Sequence, residues 1–463
     1  MTEADTAYAQ DLEPASREYL QRRWYWYDWA NSAYATTIAA VLIAPYLTAV
    51  AKEAACPGIA DGETCRTNLD VLGIGIAPGS LAPFTITVST LLSALVLIFV
   101  GGIADRSERP TRLLGAFAWT GAASACLVYF IAGTSWQLGV VLIIVSNLCF
   151  GASMVVYDAL LVRIAPPDDR DRVSSRGWAF GYFGGGVLLA LNLFVLSAHD
   201  ALGMSEGTAV RISLLSAGLW WAGFTIIPVR GLRSLTGTVA TPAARSAGVV
   251  RGSLVQLRST FGELRRYPQT LQFLVAYLFF NDGIQTVISS ASLYGKEELG
   301  FSANQLVITI LLVQFVAFGG ALLFGRLART YGATRLILWG LGLWVLVVVA
   351  AFFLPAGRFG PWLALGVGIG IVLGGTQALS RSLYSQLIPR GRESEFFSLY
   401  QAMERGTSWF GTLLFGLVYQ LAHSYRLSII ALIVFFVLGG TLLARCDVRA
   451  GIRAAGNTPS RVV

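Results

Sequence analysis

Twelve apolar stretches, each close to the ~20 residues that a bilayer crossing requires, alternate with polar gaps along this chain, and basic side chains crowd into every second gap. Of its 34 lysines and arginines, 26 lie in those gaps, while the intervening ones hold only Lys52, Arg66, Arg211, Lys296, Arg358 and Arg426. Arg381 and Arg405 fall within or beside apolar stretches. Loops rich in lysine and arginine stay on the cytoplasmic side. One pattern therefore predicts both the spans and their orientation.

The predicted helices are Tyr25–Val50, Leu81–Ala104, Leu113–Gly133, Trp136–Val162, Trp178–Ala198, Val210–Val229, Gln269–Leu293, Gln305–Leu327, Arg335–Leu354, Pro361–Ile388, Phe396–Ala422 and Tyr425–Arg445. An even count beginning inside leaves both termini in the cytoplasm. A composition of 55% hydrophobic and 13% charged residues excludes a soluble globular fold. The net charge of +8 then reports orientation against anionic headgroups of the lipid bilayer, and no nucleic-acid partner is expected. The polar, acidic leader before the first span (Glu3, Asp5, Asp11, Glu13, Glu18) and the length of that span argue against a cleaved signal peptide.

The long basic gap Arg230–Pro268 divides the chain into two sets of six spans, as an internal repeat would. The expected organisation is a cytoplasmic leader (1–23), an N-terminal six-helix bundle (24–229), a linker (230–268), a C-terminal six-helix bundle (269–446) and a cytoplasmic tail (447–463). Within the linker, Leu254, Leu257, Phe261 and Leu264 recur at helical spacing opposite Arg258, Glu263, Arg265 and Arg266. That pattern predicts a short helix on the membrane surface, or a plain connector. The leader, the stretch Thr236–Gly248 and the tail after Asp447 are expected to be mobile.

Cys126, Cys149 and Cys446 read as small apolar filler. Cys56 and Cys65 share the longest external loop, Ala51–Ser80, and are expected to pair in an oxidising compartment. Neither their number nor their spacing makes a metal site, and no cofactor is called for.

An ionisable group inside a span costs at least ~2.5–3.5 kcal/mol on insertion scales, so it normally faces water or a partner. Five clusters carry that cost. Asp28 and Asn31 share a face of the first helix, with Tyr34 following. Asn147, Tyr157 and Asp158 lie on the fourth, where Asp158 has Arg163 on the next turn as its ordinary partner. Asn281, Asp282 and Gln285 lie near the middle of the seventh, and Asp282 is the deepest acid in the chain. Gln377, Arg381 and Tyr384 form one stripe of the tenth at helical spacing. Glu404, Arg405 and Ser408, on the eleventh, form a second tier in which the charges would pair with each other.

Arg381 is suited to hold a carboxylate or phosphate bidentately, or to neutralise Asp282 when no substrate is present. Substrate competing for the arginine would then change the proton affinity of Asp282, linking solute to proton. The crowded aromatics Trp24, Tyr25, Trp26, Tyr27, Trp29 and Tyr34 read either as a headgroup belt or as walls of a ligand path. His199 and His423 fall at external helix ends, which leaves no intramembrane histidine relay.

After the second helix runs Gly101-Gly102-Ile103-Ala104-Asp105-Arg106-Ser107-Glu108-Arg109-Pro110-Thr111-Arg112. Glycine there permits close backbone approach. Asp105 is placed to cap or pair, and Arg106, Arg109 and Arg112 would form a movable charge network. This run resembles the loop signature of the major facilitator superfamily. The matching run Gly325–Arg335 keeps glycines and arginines but has Arg329 in place of the acid. Together with the run Trp24–Tyr34, the triplet Asn281-Asp282-Gly283 and the run Gly374–Leu383 followed by Ile388-Pro389, the chain is similar to the branch containing autophagy-related vacuolar amino-acid effluxers and their bacterial relatives. The resemblance extends from Trp24 to Arg445.

It implies an all-α membrane protein: twelve transmembrane helices in the major facilitator fold, two six-helix bundles around a central cavity lined by helices one, four, seven and ten. The expected activity is secondary active transport by alternating access, coupled to protons and carried out by a monomer. The solute would be a small anionic or zwitterionic metabolite such as an amino acid. The setting would be the cell (inner) membrane, or the vacuolar membrane in a eukaryote. Export of amphiphilic drugs or lipids, and a non-transporting receptor or scaffold, stand as alternatives. The only lysines occur as Lys52-Glu53 and Lys296-Glu297, so no phosphate loop ending in Gly-Lys-Ser/Thr exists to drive an ATP pump. No catalytic constellation points to an enzyme.

Overall fold

The computed structural model describes residues 9, 12–58, 65–71, 73–235, 262, 264–406 and 409–463. Its helices are α1 Pro14–Ala55, α2 Pro78–Asp105, α3 Pro110–Phe130, α4 Trp136–Ile164, α5 Arg170–Ser197, α6 Glu206–Gly231, α7 Pro268–Glu297, α8 Ala303–Tyr331, α9 Ala333–Phe352, α10 Phe359–Gln386 and α12 Tyr425–Ala444. Among the described residues, eleven helices are long and apolar enough to cross a membrane. Between α10 and α12, α11 is described in two pieces, Glu393–Gly406 and Trp409–Ala422.

Several helices begin earlier than hydropathy indicates. α1 starts at Pro14 and α5 at Arg170, each carrying polar and basic turns beyond the apolar run. A helix needs its backbone ladder inside lipid but does not have to end where lipid ends. Part of the expected leader is thus helical. The tail also departs from expectation: α13 (Val448–Ala454) buries Val448 and Ile452, and Asn457 Nδ2 donates to the carbonyls of Gln386 and Ile388. The surface helix expected around Leu254–Leu264, and the stretch Thr236–Gly248, lie outside the described residues.

Two large apolar cores form, one from the first six helices and one mainly from the last six, with a small third cluster between α2 and α4. They meet along α5 with α8 and α10, and along α2 and α4 with the first piece of α11. Glycines set the closest of these contacts. A methyl group on Gly101 of α2 would meet Ser398 of α11, and one on Gly325 of α8 would meet Ser175 of α5. The two contacts occupy equivalent places in the two halves. The loop between α1 and α2 carries a bonded Cys56–Cys65 pair and a hairpin of β1 (Leu69–Val71) and β2 (Ile74–Ile76).

Candidate functional site

A cavity of about 1160 Å³ lies between the halves. Its lining on α1 runs from Asp28 past Asn31 and Tyr34 to Ile43, and on α2 from Leu91 back to Pro83, so it extends toward the starts of α2 and α8. Gln285, Gln377, Glu404 and Arg405 line it from the second half. Between Tyr34 and Leu42, α1 is a π-helix, a wider turn recurrent at functional sites, and most of that segment faces the cavity.

Beyond the inner end of the cavity Arg381 is almost wholly buried, with 1% of its side chain exposed. All five of its N–H donors are used. Nη2 donates to Asp28 Oδ2 at 3.1 Å and to the Ser174 carbonyl at 3.0 Å. Nη1 reaches Asp158 Oδ1 at 3.3 Å and Asp28 Oδ1 at 3.5 Å, and Nε donates to Ser174 Oγ at 3.0 Å. The guanidinium also lies 4.8 Å from the Trp24 ring centre and 5.3 Å from that of Trp178. Tyr157 donates to Asp28 Oδ2 at 2.7 Å, and Gln401 to Asp158 Oδ2 at 2.9 Å. Gly177 supplies the space: a methyl group there would lie 3.0 Å from Arg381 Nη2. One residue of the second half thus locks onto α1, α4 and α5 of the first.

This arrangement corrects two expected pairings. Arg381 takes Asp28 and Asp158 as partners and has no donor left for Asp282, and Asp158 bonds Arg381 and Gln401, with Arg163 no partner of it. Asp282 instead ties α7 to α11, its Oδ2 accepting from the Gly411 N–H at 2.7 Å, while among the described residues Oδ1 has no partner. Asn281 accepts from Gln377 Nε2 at 2.8 Å. Tyr384 lies outside the cavity lining, donating to the Phe396 carbonyl at 2.8 Å. Arg405 turns toward the first half, over Phe150 and against Asn147. Ser408 lies outside the described residues.

The aromatic run of α1 is no headgroup belt. Trp24, Tyr25 and Tyr27 are buried, Trp24 stacks on Tyr157 at 4.3 Å, and Trp26 and Trp29 pack against α5 and α6. Of the six aromatics, Tyr34 alone lines the cavity. Sequence reasoning passed over Ser174, Gly177, Trp178, Tyr277 and Gln401. Small and neutral polar residues on a helix carry no burial cost large enough to single them out.

At the end away from the cavity mouth, Asp105 closes the seam between the halves. Its Oδ1 and Oδ2 accept the N–H groups of Ser394 and Glu395, each at 2.8 Å. These are orphan donors of the first turn of α11, where a carboxylate also meets the positive end of the helix dipole. Ser382 bonds Asp171 and Arg170 Nη1 donates to the Ser385 carbonyl nearby. Arg109 and Arg112 are exposed.

Two six-helix halves enclosing a central cavity, sealed at one end by charged and glycine-mediated contacts, define a major facilitator transporter. The solved proton:xylose symporter XylE shares the fold, with a TM-score of 0.69 at 14% identity over 94% of this chain and 96% of that one. The transporter FucP in its outward conformation gives 0.65 at 13% identity, over 92% and 97%. The chain belongs to the family described as vacuole effluxer Atg22 like, matching it over residues 16–456. It is 28% identical to the uncharacterized MFS-type transporter YxiO of Bacillus subtilis, over 92% of this chain and 94% of that protein. It is 26% identical to autophagy-related protein 22-1 of Phaeosphaeria nodorum, over 85% and 80%. The family is described as one of effluxers and YxiO as a transporter, so the chain belongs with transporters and not with enzymes.

Proposed function

We propose that the protein is a monomeric, proton-coupled secondary transporter that moves a small anionic or zwitterionic metabolite, amino acids among them, by alternating access. The observation that carries this reading is the Arg381 cluster at the inner end of the cavity. It joins the two halves through buried charge, so it must break when they rock. Arg381 balances only one of its two carboxylates, and a proton on Asp28 or Asp158 would neutralise the cluster. Protonation would thereby loosen the grip of the first half on the second. The alternation of basic gaps orients both termini to the cytoplasm, which makes the cavity mouth face outward. Asp28, Asn31, Tyr34 and Gln377 form its polar inner wall.

A second reading, export of an amphiphile, draws on the apolar outer walls, among them Ile38, Ile86, Ile288, Ile310 and Val313. Proteoliposomes decide between them. Uptake of labelled amino acids that follows an imposed pH gradient and collapses with a protonophore supports proton-coupled solute transport. No uptake or counterflow of amino acids or organic acids, alongside stabilisation by cationic amphiphiles, supports the second reading.

A further inference from the structure

Arg405, like Arg381, reaches across the halves, but its bonding is far sparser. Nη1 donates to Asn147 Oδ1 and Nε to Gln401 Oε1, both at 3.4 Å, near the long limit for a hydrogen bond. Among the described residues its remaining N–H donors have no hydrogen-bond partner. The guanidinium carbon stands 4.4 Å from the centre of the Phe150 ring, and the side chain lines the cavity. Glu404 beside it stands against Arg405 as a neighbouring charge but makes its hydrogen bonds to other groups, accepting from Tyr277 and Gln401.

A guanidinium that turns uncommitted donors toward a cavity is well placed to bind an anion that accepts two parallel bonds. The surfaces around it are Tyr34, Ile143, Phe150 and Met154, which suit an apolar body better than a heavily hydrated one. We propose that Arg405 is the anion-binding residue of the cavity and takes the carboxylate of a small solute with an apolar body. The assignment rests on the transport reading. It also explains why Arg381, with every donor committed, is free to act as a latch.

The test uses the full chain in nanodiscs at fixed pH and ionic strength, with 3-phenylpropanoate, 3-phenylpropylamine and inorganic phosphate as probes. In thermal unfolding, 3-phenylpropanoate raises the Tm of the unmodified protein and the amine and phosphate do not. Arg405→Gln weakens the 3-phenylpropanoate effect at least tenfold, Arg405→Lys weakens it less, and Arg358→Gln, at an exposed arginine outside the cavity lining, keeps it. Equal stabilisation of the unmodified and Arg405→Gln proteins, or no stabilisation by 3-phenylpropanoate, overturns the assignment. Labelling of Ser292→Cys by a membrane-impermeant thiol reagent separates the two levels. A labelled cavity without a carboxylate effect removes Arg405 alone, and an unlabelled one removes the transport reading with it.

Discussion

Arg381 and Asp28 lie 353 residues apart in sequence and 3.1 Å apart in space, joining the two halves of the molecule through a buried ion pair. Removing one partner of such a pair leaves an uncompensated charge in a dry site, at a cost of roughly 3–5 kcal/mol. Arg381→Gln strands two carboxylates at once. We expect a markedly lower Tm in detergent, with partial recovery when Asp28→Asn and Asp158→Asn are added. Recovery by the added substitutions is the diagnostic, because a purely steric defect would not be relieved by them.

Asp105 acts as an N-cap supplied by a different helix. Loss of a capping carboxylate costs about 0.5–2 kcal/mol, a several-fold change in an equilibrium. Asp105→Ala is therefore expected to raise the labelling rate of Ser398→Cys several-fold by loosening the seam between α2 and α11, and to leave overall folding intact. An unchanged rate would show that the glycine contact at Gly101 holds the seam unaided.

Gly177 and Gly319 give a matched pair. A methyl group at Gly177 collides with the Arg381 cluster, whereas at Gly319 it meets open space. Gly177→Ala should reduce counterflow strongly. Gly319→Ala should leave it unchanged and raise stability slightly, since alanine is favoured over glycine in a helix by ~1 kcal/mol.

The Cys56–Cys65 bond closes a loop of sequence separation 9. Chain-entropy arguments assign such a crosslink about 2–3 kcal/mol. Replacing both cysteines by serine should lower the Tm modestly and increase proteolysis between β2 and α1, with transport retained.

The spans were legible because lipid imposes a length and a composition on any helix that crosses it. Asp28, Asp158 and Arg381 each stood out for the same reason, as charges that lipid penalises. Their pairing did not, because it depends on how six-helix halves dock, and nothing local encodes a contact across hundreds of residues. Asp282 was matched to Arg381 on depth alone, yet Arg381 turns to the first half while Asp282 turns to the backbone of α11. Trp24 reads as interfacial because hydropathy starts the first span at Tyr25, but helix α1 begins eleven residues earlier, at Pro14, and that turn is buried.

The central claim is that Arg381 latches the halves with the cavity facing one side and releases them for the other. Spin labels at Arg112 and Arg326 report the sealed end, and labels at Ala77 and Lys296 the cavity end; all four positions are exposed. Electron–electron distances in nanodiscs should show a single short population at the sealed end of the parent protein. In Arg381→Gln that distance should lengthen while the one at the cavity end shortens. Unchanged distance distributions at both ends, in a variant that remains folded, would contradict the latch.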